Sequence, residues 1–419
     1  MKIFKFGGAS VKDAEGVRNV AKIMRQFQHE NVVIVVSAMG KITNALERLT
    51  DAFFYQKEIP AKILDEIKKY HFDILEQLFP NKNHPVYNEI NNAFVELDWA
   101  IEGLPEYSYD QEYDQIVSVG EIISTKIVSA YLSETGIKNG WKDVRDIIRT
   151  DNTYRAGTVN WEVTEEISKN IFLNTEINIF VTQGFIGGTS ENFTTTLGRE
   201  GSDYTAAILA YALDAESVTI WKDVQGVLNA DPKWFDTTQK IEHLSYQDAI
   251  ELAYYGATVI HPKTIKPLQN KKIPLYVKSF MAPEKEGTII NHLQTSLPIP
   301  SFIFKINQIL ISISPKDFSF IAEENLSTIF KLFAEHRMTI NVMQNSAISF
   351  SVCMDNDEKK IPKLIALLQK YFRVLYNDNL ELITIRYYDQ ATIERVCVNK
   401  KILLEHKSRY TVQLVVKNL

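Results

Sequence analysis

Residues 184–207 read GFIGGTSENFTTTLGREGSDYTAA, and the fold turns on how this stretch is interpreted. An apolar run, INIFVTQ at 177–183, precedes it, and AAILAYAL, whose alanines and leucines suit a packed helix, follows. The whole reads as strand, long polar loop, helix. Glycines at 184, 187, 188, 198 and 201 would let backbone N–H groups approach an anion closely. Thr194, Thr195 and Thr196 add hydroxyl donors, and Arg199, Ser202 and Asp203 mark the helix entry, where partial positive charge concentrates. Two readings stand: a phosphate cradle, or an ordinary connection capped by Ser202 or Asp203.

Working outward, the N-terminal KIFKF at 2–6 alternates like a strand and stops at Gly7 and Gly8. Helical spacing follows through Val17, Val20, Ala21, Met24 and Phe27, and then NVVIVVSAMG at 31–40 is a β-branched run ending in small residues. Strand, helix, strand with apolar strands implies a parallel sheet covered on both faces, with ligands beyond the strand C-termini. That rule gathers KFGGAS, VVSAMGKIT and the 184–207 loop at one edge. Lys5 before paired glycines, with Ser37, is then a phosphate candidate, against the alternative of a solvated strand lysine.

Residues 44–111 are helical in pattern, rich in acidic and aromatic residues, and interrupted by Pro80 and Pro85. They read as a helical insertion packed beside the sheet. In the helix at 114–132, Glu121 lies among Val117, Ile122, Ile123 and Ile127, so it either turns to water or has a partner, because an unpaired buried charge is costly. Farther on, WKDVQGVLNADPK at 221–233 is a strand end and two turns, with Asp223 and Lys233 as candidates for a nucleotide or its Mg2+, or as ordinary turn residues.

The chain has 419 residues, a net charge of -6, 45% hydrophobic and 23% charged residues, which is a globular composition of two or three domains at ~100–200 residues each. No basic run supports nucleic-acid or membrane-surface binding. Two cysteines, Cys353 and Cys397, sit in apolar patterns and read as buried thiols, and the eight histidines show no metal-ligand spacing, so no protein metal site is expected. No apolar stretch approaches the ~18 residues that span a bilayer, so a soluble cytoplasmic protein is expected.

Residues 284–301 read as a linker. Beyond it QILISIS, a helix, MTINVMQ, AISFSVCM, a second helix and RVLY give βαββαβ order, a ferredoxin-like unit at 308–378. LELITIRYY starts a second copy at 379–419 that is too short to close and has to borrow a strand, with FIFKI inside 302–307 as the donor.

KFGGASV, VVSAMGKITN, VSVGEIIST, GFIGG with TTTLGREGSDYTAA, WKDVQGVLNADPK and ELAYYGATVIHP stand in the order and spacing of the aspartate kinases of the amino acid kinase family, which nearly the whole chain resembles. The tail resembles their paired ACT domains. The resemblance implies an α/β kinase domain over 1–290, mainly parallel and sandwiched by helices, and an ACT regulatory region over 302–419. It also implies ATP-dependent phosphorylation of the L-aspartate side-chain carboxylate, the first step of lysine, threonine and methionine biosynthesis, with Mg2+ carried by ATP. Lys5, Gly7, Gly8 and Ser37 match phosphate-binding positions, and Lys222, Asp223 and Lys233 fall at nucleotide-contacting ones. Thr43, Glu121, Arg199, Ser202 and Asp203 match the aspartate site, with Arg199 on the α-carboxylate and Glu121 on the ammonium; Lys5 and Asp203 are the catalytic pair.

Ala9, Lys222, Leu228 and Thr258 depart from the family residues, and Lys222 is the candidate substitute for the lysine missing at Thr258. The tail implies a homodimer through the ACT region and an amino acid effector, lysine or threonine, at Asp317, Phe318, Asn341, Gln344, Asn345 and Ser346. Two alternatives remain open on the residues: a non-catalytic ACT sensor derived from a kinase, and a kinase for another acyl or phosphoryl acceptor.

Overall fold

The computed structural model describes residues 1–235, 237–257, 260–293, 299–317 and 319–419. It divides into two compact units, one of Met1–Val227, Lys240–Ile250 and Val259–Thr295, the other of Leu228–Gln239, Glu251–Thr258 and Ser296–Leu419.

In the first unit the strands are β1 (Lys2–Phe6), β2 (Val32–Val36), β3 (Gly140–Lys142), β4 (Ile179–Gln183), β5 (Ile186–Gly188), β6 (Thr194–Thr196) and β7 (Ser217–Lys222). After β8 (Val227–Leu228) and β9 (Lys240–Ile241) come β10 (His243–Ser245), β11 (Leu275–Ser279) and β12 (Thr288–Asn291). The main sheet runs β10-β12-β11-β7-β1-β2-β4-β3. β1 lies between β2 and β7, parallel to both, while β12 pairs antiparallel with β11 and β10 runs parallel to β12, so these two strands at one edge are reversed. Every residue of β2 and β4 is buried, as β-branched strands covered on both faces should be.

The covering helices are α1 (Ala14–Arg25), α2 (Ile42–Tyr55), α3 (Pro60–Leu78), α4 (Pro85–Ala100), α5 (Tyr109–Val117), α6 (Val119–Glu134), α7 (Trp161–Phe172), α8 (Gly201–Ala212), α9 (Tyr246–Tyr255) and α10 (Pro262–Lys271). α2, α3 and α4 fill the span read as a helical insertion. Pro80 follows the end of α3, and Pro85 opens α4, where a missing N–H is harmless. The helix expected across 114–132 is divided at Ser118, whose hydroxyl donates to the Gln115 carbonyl at 3.0 Å and competes with the helical ladder. Contrary to the sequence reading, the combined run Tyr109–Glu134 is long and apolar enough to cross a membrane by length and composition; 78% of its apolar window is buried inside the protein, as in a core helix. The linker reading of 284–301 also needs correction, because it contains β12, whose TIIN pairs with β11.

The second unit carries β13 (Ser301–Pro315), β14 (Ile340–Asn345), β15 (Phe350–Asp355), β16 (Phe372–Arg386), β17 (Lys400–Lys407) and β18 (Thr411–Asn418), in the order β14-β15-β13-β16-β18-β17. Its helices are α11 (Glu323–Glu335), α12 (Ile361–Tyr371) and α13 (Gln390–Val396). β13 and β16, each 15 residues long, pair antiparallel across both halves of the sheet, with register shifts near Gln308. FIFKI and QILISIS are therefore two ends of one strand. One end of that strand packs Ile309, Ile311 and Ile313 under α11 and α12, while Phe302 at the other joins Ile385, Ile393 and Leu414.

Two segments inside the 1–290 range belong to this second unit, 228–239 and 251–258. Phe235 packs on Phe302 at 4.8 Å between ring centroids, the Arg395 guanidinium lies 4.6 Å from the Phe235 ring, and buried Arg386 pairs with Glu251. Burial pushes the Cys353 thiol up to about 12, and both cysteines are free.

Candidate active site

The C-terminal ends of β1 and β2 meet at a pair of turns whose backbones touch. The Gly40 N–H donates to the Gly8 carbonyl at 2.9 Å, and the Ser37 N–H donates to the Phe6 carbonyl at 3.1 Å. A Cβ on Gly8 would lie 2.7 Å from the Ala38 carbonyl oxygen, so only glycine allows this approach. A Cβ on Gly7 would stand 3.5 Å from the Lys5 ammonium, so the missing side chain leaves open the space in front of that cation.

Lys5 points along the sheet edge to α8, where its Nζ is 2.6 Å from Asp203 Oδ1, both side chains being nearly buried. The contact is a close ion pair rather than an aligned hydrogen bond. Burial pushes the Asp203 carboxyl up, but Lys5 and then Lys222 outweigh it and hold the group below its usual range. α8 is brought to this place by close packing: a Cβ on Gly184 would sit 2.5 Å from that of Ser202, and the Phe185 N–H donates to Thr205 Oγ1 at 2.9 Å.

Beside the ion pair opens a cleft of about 510 Å³ whose wall includes Ser37, Thr43, Glu121, Arg199 and Ser202. Five positions scattered over the sequence thus share one wall. Glu121 is 2% exposed; one oxygen accepts from the Ala38 N–H at 3.3 Å, and the other is buried with no partner among the described residues. Burial pushes its carboxyl up to about 8. A carboxylate kept dry without a counter-ion is a place prepared for a cation.

The cleft also contains Thr196 of the threonine run, and residues the sequence reading passed over: Glu47, Tyr113, Arg155, Phe185 and Glu200. Arg155, Phe185 and Glu200 are left-handed, with φ of 62°, 73° and 55°. Such strain in non-glycine residues collects at functional sites. The first of these sits in an aperiodic loop, where no spacing signal marks it.

Lys222, half-buried at the end of β7, faces Asp203, and Asp223 follows it, exposed. Lys233 is exposed in a turn of the second unit, its N–H donating to Asp231 at 2.9 Å. Thr258 lies outside the described residues, as does Phe318 among the effector candidates. Exposed Asp317 accepts from the Ser319 hydroxyl at 2.7 Å, which holds its carboxyl below the usual range. Gln344, Asn345 and Ser346 are exposed at the end of β14. The Asn341 amide instead turns inward, donating to Gln308 at 2.8 Å and Asp355 at 3.0 Å and accepting from Lys305 at 2.8 Å. Among the described residues no cluster of histidine, cysteine or acidic side chains could hold a metal ion.

The amino acid kinase family model matches residues 1–279. Lysine-sensitive aspartokinase 3 of Escherichia coli is 31% identical over 361 residues, which is 84% of this chain and 78% of that protein. The structure of E. coli aspartokinase III with lysine and aspartate in its T-state matches with a TM-score of 0.84 at 27% identity, over 99% of this chain and 95% of that one. The same enzyme with aspartate and ADP in its R-state matches at 0.82 and 27%, over 99% and 96%. A nearly buried lysine paired with Asp203 beside a cleft that holds a partnerless carboxyl oxygen and an arginine agrees with these likenesses, and the chain belongs to the amino acid kinase family, as an aspartokinase.

Proposed function

We propose that the protein transfers the γ-phosphoryl group of ATP to the side-chain carboxylate of L-aspartate, giving 4-phospho-L-aspartate, the entry to lysine, threonine and methionine biosynthesis. The observation that carries this reading is Glu121, whose partnerless oxygen shares a cleft with Arg199. An α-amino acid offers an ammonium to the first and a carboxylate to the second, which a nucleotide or carbamate acceptor does not.

A carboxylic acid with a reference pKa of about 3.9 is ionised at neutral pH, so the attacking oxygen needs no general base. What must be overcome is repulsion between an anion and a polyphosphate. Lys5, the open face at Gly7 and the donors at Ser37 and the start of α8 supply positive potential on the phosphoryl path. Asp203 pairs with Lys5 and aims it before substrates arrive. Mg2+ entering with ATP would offset charge between the phosphates. Lys222 and Asp223 are the nucleotide-side candidates in the first unit, and Lys233 is the candidate in the second.

In the second unit, exposed Asp317, Gln344, Asn345 and Ser346 are the surface offered to a lysine or threonine effector, and the edge strand β14 is the place for pairing of two copies. ATP use and unpaired thiols fit the cytoplasm. Release of ADP from ATP by the purified protein, measured with and without aspartate, is the direct test; the reading requires release that depends on aspartate and falls when lysine or threonine is added.

A further inference from the structure

One buried carboxylate has no part in the chemistry above. Asp114 on α5 is fully buried, and both its oxygens are occupied. Oδ2 accepts the Arg155 N–H at 2.8 Å and the Thr196 N–H at 2.9 Å, while Oδ1 accepts the Thr196 hydroxyl at 2.7 Å. Both Arg155 and Thr196 line the cleft. Asp114 therefore ties the loop at 151–158 to β6 at the cleft wall, beside the bond from the Gly157 N–H to the Thr196 carbonyl at 2.9 Å, and it does so through the backbone of Arg155 rather than its guanidinium.

Arg155 itself is held where a glycine or asparagine would be expected, since φ of 62° brings a Cβ against its own backbone. A loop free to vary would relieve that strain. Its guanidinium lies 4.3 Å from the Tyr113 ring centroid and reaches Asp110 at 3.3 Å and Glu47 at 3.9 Å. Those partners are solvent-facing, with Asp110 58% and Glu47 44% exposed, and such pairs are weak enough for a ligand carboxylate to compete. The cleft also needs the charge: with Arg155 removed, Arg199 would be the single arginine of its wall facing Glu47, Glu121 and Glu200.

We propose that Arg155 is a second guanidinium of the acceptor cleft, a specificity-determining residue for an acceptor bearing more than one carboxylate, and that Asp114 is the positioning residue that holds it there. This rests on the cleft being the acceptor site. Arg155→Asn keeps a residue that tolerates the left-handed backbone and removes the guanidinium. Aspartate binding measured by calorimetry without nucleotide should weaken by about tenfold, with the aspartate KM rising in step and kcat within about threefold. The ATP KM should not move. Asp114→Ala should raise the aspartate KM similarly, and Asp114→Asn, whose amide oxygen still accepts both backbone N–H groups, should restore it to within about threefold of wild type. If Asp114→Ala does not fold, the Arg155→Asn result decides alone. Wild type that binds aspartate, with Arg155→Asn indifferent or with both KM values raised equally, overturns this inference by itself. Wild type that does not bind aspartate overturns the acceptor assignment and this inference with it.

Discussion

In the cleft Glu121 keeps an oxygen buried without a partner among the described residues, and beside it Lys5 closes on Asp203 at 2.6 Å with open space at Gly7 in front of the cation. In the C-terminal sheet the buried amide of Gln308 is satisfied from both sides, accepting from Asn341 and donating to Asp355 at 2.8 Å. The first arrangement is costly in isolation and makes sense only with a ligand in place; the second stabilises the protein as it stands. Among the effector candidates Asp317 and Ser346 are a third case, exposed and bonded to nearby serines.

Changing the cleft should produce the largest effects. Lys5→Ala removes the cation proposed to face the transferring group and takes the Lys5 ion pair from buried Asp203, and kcat should fall by about 10²-fold or more. Arg199→Ala should act on binding instead. Losing a carboxylate's guanidinium costs about 2–5 kcal/mol, so the aspartate KM should rise at least tenfold while the ATP KM holds. Steady-state kinetics in both substrates separates the two, and the reverse pattern would mean that the two sides of the cleft have been exchanged.

Glu121 offers a sharper test, because function and stability should move in opposite directions. Its folded pKa, pushed by burial to about 8, lies above the ordinary 4.5. The folded state therefore holds a proton that the unfolded state has lost, so the associated stability is complete below pH 4.5 and disappears as pH rises through 8. Glu121→Gln removes that loss. The variant should melt higher than wild type at pH 9, by about 2 °C or more, and show little difference at pH 4. Its affinity for aspartate should nonetheless drop, since an amide gives the ammonium no charge. Aspartate binding to wild type at pH 7 should also release protons, seen as a dependence of the calorimetric heat on buffer; a buffer-independent heat would mean that Glu121 does not face the ammonium.

The parallel sheet was legible because strands such as VVIVV are β-branched and covered on both faces, and the edge rule brought KFGG, VVSAMG and TTTLGREGSD together without any contact being known. Thr43, Glu121, Arg199 and Ser202 could be named because each belongs to an ordered motif. Arg155 and Asp114 could not. Arg155 lies in a loop without periodicity, and Asp114 looks like any acid on a helix until its three donors are seen. β12 was hidden because four residues between turns carry too little pattern to declare a strand. Neither could the sequence show that 228–239 packs with the C-terminal sheet, since the ring contact of Phe235 with Phe302 joins positions far apart in the chain.

The smallest effects should come from two neighbouring asparagines that the sequence treats alike. Asn341 is half-buried and bonded to Gln308, Asp355 and Lys305, whereas Asn345, four residues along β14, is exposed. Asn341→Ala leaves Gln308 and Asp355 short of a donor, and the second unit should lose about 1 kcal/mol, read as an earlier unfolding transition. Any change in effector response would then follow from that loss. Asn345→Ala touches no internal bond that holds the sheet, so stability should stay within about 0.5 kcal/mol, as for an ordinary surface change. If Asn345 belongs to the effector surface, lysine or threonine should bind the variant more weakly, and aspartate-dependent turnover should become less sensitive to the effector while its uninhibited rate is kept. Calorimetric titration of both amino acids into both variants, alongside thermal melts, resolves the four outcomes. An Asn345→Ala protein that binds its effector like wild type would remove the end of β14 from the sensor, and an Asn341→Ala protein with unchanged melting but lost binding would show that the inward amide, not the exposed one, recognises the ligand.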